Sequence, residues 1–287
     1  MKKNLALGAF LLIGLCGFLA VDLTGAGEIE AGEKAKLRLF TWERGVGFQS
    51  PDRPEMKVYL WFYEWNMFQA RETGQHTRGT HELPRQVNAQ GTRAVIGKDD
   101  LRLVVEAGVG SADLLLRIKN RTDHDWGELA AIIPCFNPGA KETRNRQLAN
   151  IDTYYHAADG LRKLKGREIH FNSKVRPLLD RISPQGKFVF SEKWPTAREN
   201  ANLGLIVRQS NNGRWVAGVA WDNFLSAQAH NPWECMHLSV RVGPLARGEE
   251  KTIRGKVYLF QGKKEDCRLR CLADFDRRNK KTETPKK

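Results

Sequence analysis

The sequence predicts an all-β protein, an antiparallel β-sandwich (a supersandwich among its forms) with one C-terminal helix, and three observations predict it. Apolar and polar residues alternate with a period of two along most of the chain. Turn residues separate the alternating runs, and 26 glycines among 287 residues supply many of them. Helical periodicity is confined to two short stretches. A chain of this length can bury a sizeable core, and 41% hydrophobic residues argue against wholesale disorder. A mean hydropathy of −0.52 excludes a polytopic membrane protein.

Residues 1–26 have the order of a secretory signal. Lys2 and Lys3 precede an apolar run from Leu5 to Val21, and Thr24-Gly25-Ala26 places small residues at a cleavage site. An uncleaved anchor fits the same pattern, because the apolar run is slightly long. Cys16 follows Leu15 inside that run, which is not a lipobox. The expectation is a secreted or periplasmic protein with no transmembrane helix after signal cleavage, a single sandwich domain over 27–275, and a basic disordered tail over 276–287. Export leaves Cys135, Cys235, Cys267 and Cys271, which allow three complete pairings, and the pairing stays open.

Within 27–275, Leu101, Leu103 and Val105 oppose Arg102 and Glu106, and Leu114, Leu116 and Ile118 oppose Asp113, Arg117 and Lys119. Met236, Leu238, Val240 and Val242 oppose Cys235, His237, Ser239 and Arg241. Ile253, Val257 and Leu259 oppose Arg254, Lys256 and Tyr258. Each run predicts a strand with one face on a core and one face wet. Leu203–Val207 and Trp215–Trp221 are apolar on both faces, as strands between layers are. Gly108–Gly110, Asn211-Asn212-Gly213 and Gly243-Pro244 with Gly248 mark turns. The clearest helix runs from about Lys264 to Phe275, with Cys267, Cys271, Leu272 and Phe275 on one stripe; a weaker one spans Lys141 to Asn150.

The closing stretch from Cys235 to Phe260 is a strand, the turn Gly-Pro-Leu-Ala-Arg-Gly-Glu-Glu, and a second strand. It resembles the end of the large sandwiches of galactose mutarotases and of some polysaccharide lyases and glycoside hydrolases. The resemblance covers about a tenth of the chain. It implies a carbohydrate context and carries no catalytic residue over by position. The whole chain also resembles secreted bacterial sandwich proteins, which adds no chemistry.

Three clusters can carry chemistry. In Met56–Trp65 the alternation places Tyr59, Trp61, Tyr63 and Trp65 on one face and Val58, Leu60, Phe62 and Glu64 on the other. Such a row is either a platform for sugar rings or an inner face of the sandwich. Glu64, in an apolar register, becomes a general acid if burial raises its pKa, or simply reaches solvent where the strand ends. The polar segment Gly74–Glu82 reads as a loop holding His76, Arg78, His81 and Glu82. Its histidines fit no helical zinc motif, so any metal and any cofactor stay unknown. The third cluster, His230, Trp233 and the strand with Cys235, His237, Ser239 and Arg241, is either a sheet lining a cleft or an ordinary solvent face.

The formal net charge of +14 points to an anionic partner. Without zinc-finger spacing, RNP-like motif or long basic helix, nucleic acid is not expected. P-loop, G-x-G-x-x-G, G-x-S-x-G and CxxC motifs are absent as well. The reading that follows is a carbohydrate-active protein of the exported space, a lyase or hydrolase on an acidic or decorated polysaccharide or cell-envelope glycan. Catalytic candidates are Glu64, His76, His81, His230 and His237; substrate-binding candidates are Trp61, Trp65, Arg78, Trp233 and Arg241. For a lyase, a histidine abstracts the proton beside a uronate while Arg78 or Arg241 stabilises the anion. For a hydrolase, Glu64 and Glu82 form the candidate pair. The alternative is a non-catalytic sandwich that binds glycans or the cell envelope.

Overall fold

Alternation becomes two antiparallel sheets in a computed structural model of the chain, which describes residues 35–62, 83–137, 144–182, 194–229 and 234–282. In chain order the strands are β1 (Arg38–Trp42), β2 (Gly45–Gln49), β3 (Lys57–Trp61), β4 (Arg85–Val87), β5 (Arg93–Lys98) and β6 (Leu101–Gly108). There follow β7 (Ser111–Lys119), β8 (Ala131–Ile132), β9 (Cys135–Asn137), β10 (Thr153–Ala157), β11 (Gly160–Lys163) and β12 (His170–Phe171). A short helix α1 (Arg176–Ile182) precedes β13 (Leu203–Gln209), β14 (Trp215–Trp221), β15 (Phe224–Gln228), β16 (Met236–Arg241) and β17 (Glu250–Gln261). Helix α2 (Lys264–Thr282) comes last.

The first sheet has the order β1-β2-β3-β9-β16-β15-β12, with β8 also paired to β16. The second has the order β11-β10-β13-β14-β17-β7-β6-β5-β4. Between them lies the main core. Val46, Phe48, Val58, Leu60, Phe136, Met236, Leu238 and Val240 come from the first sheet. Leu103, Val105, Leu114, Leu116, Ile206, Val219, Ile253 and Val257 come from the second. The predicted inward faces of β6, β7 and β17 are these residues, and Arg102, Glu106, Asp113 and Arg117 stay exposed opposite them. The all-β sandwich with a C-terminal helix is therefore the fold.

The strands that are apolar on both faces are covered twice. Leu205, Val207, Val216 and Ala220 turn away from the main core and pack with Tyr258, Phe260, Cys267 and Cys271. Helix α2 thus lies on the outer face of the second sheet. Its start is set locally: Asp266 accepts from the Lys263 backbone N–H at 2.8 Å, and Glu265 and Asp266 place negative charge in the first turn. Cys267 and Cys271 face inward, and both are free thiols. Burial pushes the Cys271 thiol up to about 12, which makes it an inert packing group.

Four expectations change. The helix runs past Phe275 to Thr282, into the stretch predicted as tail. From Arg144 to Asn150 there are turns instead of a helix. Here Asn145 Oδ1 accepts from the Gln147 N–H at 3.0 Å and Asn150 Oδ1 from the Asp152 N–H at 2.7 Å. Such side-chain bonds compete with the helical ladder. Helix α1 was not signalled by periodicity; Leu179 and Val175 pack it on Ile133, Ile169, Phe171 and Leu225. Lastly, two faces predicted to be wet are not: that of β17, where Lys256 and Tyr258 are buried and bond to Asp274 of α2, and that of β16. Cys235, His237 and Ser239 are as buried as the apolar residues alternating with them.

Candidate functional site

The outer face of the first sheet, turned away from the core, gathers the aromatic and polar side chains. Tyr59 and Trp61 lie there, opposite in direction to the buried Val58 and Leu60, so the part of the predicted row that is described is not an inner sandwich face. Pairing extends it. In one cross-strand row Phe40 sits beside Gly47 and Gly47 beside Tyr59; in the next Trp42 sits beside Gly45 and Gly45 beside Trp61. Strands two apart in a sheet are separated by about 9.6 Å, too far for direct ring contact between upright side chains. Gly47 of β2 leaves room for the Phe40 ring, and the rings lean across the gap. Trp42 and Trp61 stack with centroids 5.3 Å apart, Trp42 meets Tyr59 at 4.1 Å, and Phe40 meets Tyr59 edge-on at 5.9 Å. A Cβ on Gly47 would fall 2.2 Å from Phe40 Cζ. The Arg44 guanidinium lies 5.2 Å from the Trp61 ring and Lys57 Nζ lies 5.9 Å from that of Phe40.

The row through Trp61 continues across the sheet. Trp61 is opposite Cys135, Cys135 opposite His237, and His237 opposite Gln228. Two residue pairs along, Tyr59 is opposite Asn137, and two pairs the other way Ser239 is opposite Ser226. His237 is held on several sides. Gln228 Nε2 is 3.2 Å from its Nδ1, and the Trp194 ring lies parallel to it at 5.8 Å. Asn137 Nδ2 approaches Cys135 Sγ at 3.4 Å and Cys235 Sγ at 3.7 Å. One ligand atom each from Cys135, Cys235 and His237 lies within 4.8 Å of the others. They are the one such metal-ligating group among the described residues. Trp61 Nε1, Gln228 Oε1, Ser226 Oγ and Ser239 Oγ are buried with no hydrogen-bond partner among the described residues. Unpaired buried polar atoms are costly in a finished fold and common where a ligand completes a site.

Of the predicted site residues, Trp61 and His237 therefore fall in one cross-strand row. Arg241 is farther along β16, about 13 Å from His237 by strand geometry. Its guanidinium pairs with the Glu128 carboxylate and donates from Nε to the Glu128 carbonyl at 2.9 Å. Glu64, Trp65, His76, Arg78 and His81 lie outside the described residues, as do Glu82, His230 and Trp233. Residues that the sequence did not single out also join the face: Phe40, Trp42, Cys135, Asn137 and Gln228. Phe40 and Trp42 alternate in Arg38–Trp42, which is the signal that could have found them. At the far edge of the sheet, His170 Nδ1 contacts the Glu199 carbonyl at 3.0 Å and its ring stacks on Tyr155 at 4.0 Å. Asn172 Nδ2 donates to the Phe224 carbonyl at 2.9 Å. His170 and Asn172 thus belong to a hydrogen-bonded edge, with Glu168 Oε2 4.0 Å from His170 Nε2.

Neither a family model nor a curated protein matches this chain. Among solved structures, a galactose mutarotase related enzyme from Lactobacillus acidophilus is 7% identical, with a TM-score of 0.38 over 79% of this chain and 98% of that one. A candidate mutarotase from Salmonella typhimurium is 10% identical, with a TM-score of 0.36 over 81% of this chain and 82% of its own. A candidate aldose 1-epimerase from Escherichia coli K12 is 7% identical, with a TM-score of 0.29 over 79% and 69%. All three names belong to sugar chemistry. The fold assignment rests on the strands and their pairing.

Proposed function

We propose that this chain is an exported carbohydrate-active protein, a lyase or hydrolase that holds an acidic or decorated polysaccharide against the outer face of its first sheet. The observation that carries the reading is the placement of Phe40, Trp42, Tyr59 and Trp61 on the sheet face away from the core. Aromatic faces receive the C–H surface of sugar rings. The net charge of +14 suits an anionic glycan. Trp61 then belongs to the binding surface, with Trp65, Arg78, Trp233 and Arg241 as further contacts. Arg241 would exchange its Glu128 partner for a carboxylate or sulfate of the glycan. Proton transfer falls to Glu64, His76, His81, His230 or His237.

A depolymerisation screen over neutral, uronic and sulfated polysaccharides tests this, read by new reducing ends and by ultraviolet absorbance of unsaturated uronates. Expected is product from an anionic polymer, with at least a tenfold loss in His237→Ala or His76→Ala, the scale of a lost proton-transfer group. Retardation on that polymer, lost in Trp61→Ala without any product, would replace the enzyme by a glycan-binding sandwich. Neither product nor retardation overturns both.

A further inference from the structure

We infer that Cys135, Cys235 and His237 form a binding site for a thiolate-ligated transition ion, with zinc as the type. This rests on the sheet register and not on the sugar reading. Cys235 and His237 are two residues apart on one strand line, so they share a face, and the β9–β16 pairing sets Cys135 directly against His237. Their ligand atoms lie within 4.8 Å of one another, and all three residues are buried. Two sulfurs on tetrahedral zinc are about 3.8 Å apart, so closing on an ion takes side-chain movement of about 1 Å. Sulfur and imidazole together select soft and borderline ions over magnesium or calcium. Three protein ligands leave a fourth position, the arrangement of zinc sites that hold a water or a substrate atom.

The surroundings suit such an ion. Asn137 Nδ2 lies within reach of both sulfurs, at 3.4 and 3.7 Å, and an amide N–H donated to a thiolate stabilises its charge. Gln228 stands at 3.2 Å from His237 Nδ1. With its amide turned so that Oε1 faces Nδ1, that oxygen gains a partner and accepts the Nδ1–H. The imidazole is then held in the tautomer whose Nε2 carries a lone pair for a metal. The other pair of thiols, Cys267 and Cys271, packs with Tyr258 and Phe260, belongs to no group of three metal-ligating side chains among the described residues, and serves as the internal control.

The full-length chain, purified reduced, would be analysed for metal content and titrated with cobalt(II), whose thiolate charge-transfer band reports sulfur ligation. One ion per chain is expected. Cys135→Ser and Cys235→Ser abolish the band, Cys267→Ser keeps it, and Asn137→Ala weakens binding about 10- to 100-fold as an outer-shell change does. Should the ligand variants fail to fold, the melting temperature of the unaltered chain decides. A rise with added zinc that a chelator reverses supports the site, and no change overturns it. A band unaltered by both serine variants also overturns it, as does a Cys135–Cys235 disulfide mapped in the chain recovered from its own host.

Discussion

Gly47 shows how much of this molecule is decided by single residues. Its missing side chain lets the Phe40 ring lie over β2 and reach Tyr59. Gly47→Ala would place a methyl group inside the present position of that ring, and the flexible Phe40 must swing away. Overpacking of this kind costs about 1–3 kcal/mol. Urea unfolding should show that loss, and near-ultraviolet circular dichroism should change as the Phe40 ring leaves the edge of Tyr59, while the far-ultraviolet spectrum holds. A spectrum that keeps its aromatic bands would mean the rings do not depend on the glycine. Residues also show the limit of reading alternation. His237 was legible as a polar residue opposite Leu238, but Trp194, Gln228 and Cys135 meet it from other parts of the chain. Nothing within five residues of His237 signals them.

Elements were more legible than their surroundings. The stripe Cys267, Cys271 and Phe275 identifies α2, and the double-sided apolar runs of β13 and β14 call for a cover on each side; the two observations answer each other. Tyr258 ties the helix down through its hydroxyl, which donates to Asp274 Oδ2 at 3.0 Å, while Lys256 Nζ pairs with the same carboxylate at 3.1 Å. Ending the chain at Gly262 should expose Leu205, Val207, Val216 and Ala220 together. The expected outcome is strong binding of a hydrophobic dye and a lower melting temperature, and an unaltered melt with no dye binding would refute the covering role. The misread element, Lys141–Asn150, failed for a local reason: its asparagines bond to backbone two residues ahead. The buried polar face of β16 failed for a distant one, since whether a strand face is wet depends on what packs over it.

At the scale of the whole molecule, two sheets with a shared core make stability depend on groups that burial holds neutral. Desolvation lowers the pKa of His156, where Arg268 adds to the effect, and of His170, where contacts with Glu199 and Glu168 oppose it. Both histidines sit below their usual value of 6.5, so the unfolded chain takes up protons that the folded chain refuses. Stability is then fully present above about pH 6.5 and falls as the pH drops below it. Thermal melts between about pH 7.5 and 5 should show this decline, and the double variant His156→Gln, His170→Gln should flatten it. A decline of the same size in the double variant would assign it to carboxylates instead.

Composition, alternation and turn residues were sufficient for the all-β sandwich, for the strands that border its core and for the C-terminal helix. Those are properties of neighbours along the chain, where side-chain direction follows from a period of two or 3.6. The same alternation placed Tyr59 and Trp61 on one face and Cys235 and His237 on one face. It did not say that these two faces are the same surface. That needed β3, β9, β16 and β15 to lie side by side in register, which sets Trp61, Cys135, His237 and Gln228 in a single row. Register is a matter of hydrogen bonds between strands far apart in sequence, and burial is a matter of what covers them. Only the tertiary structure decides either.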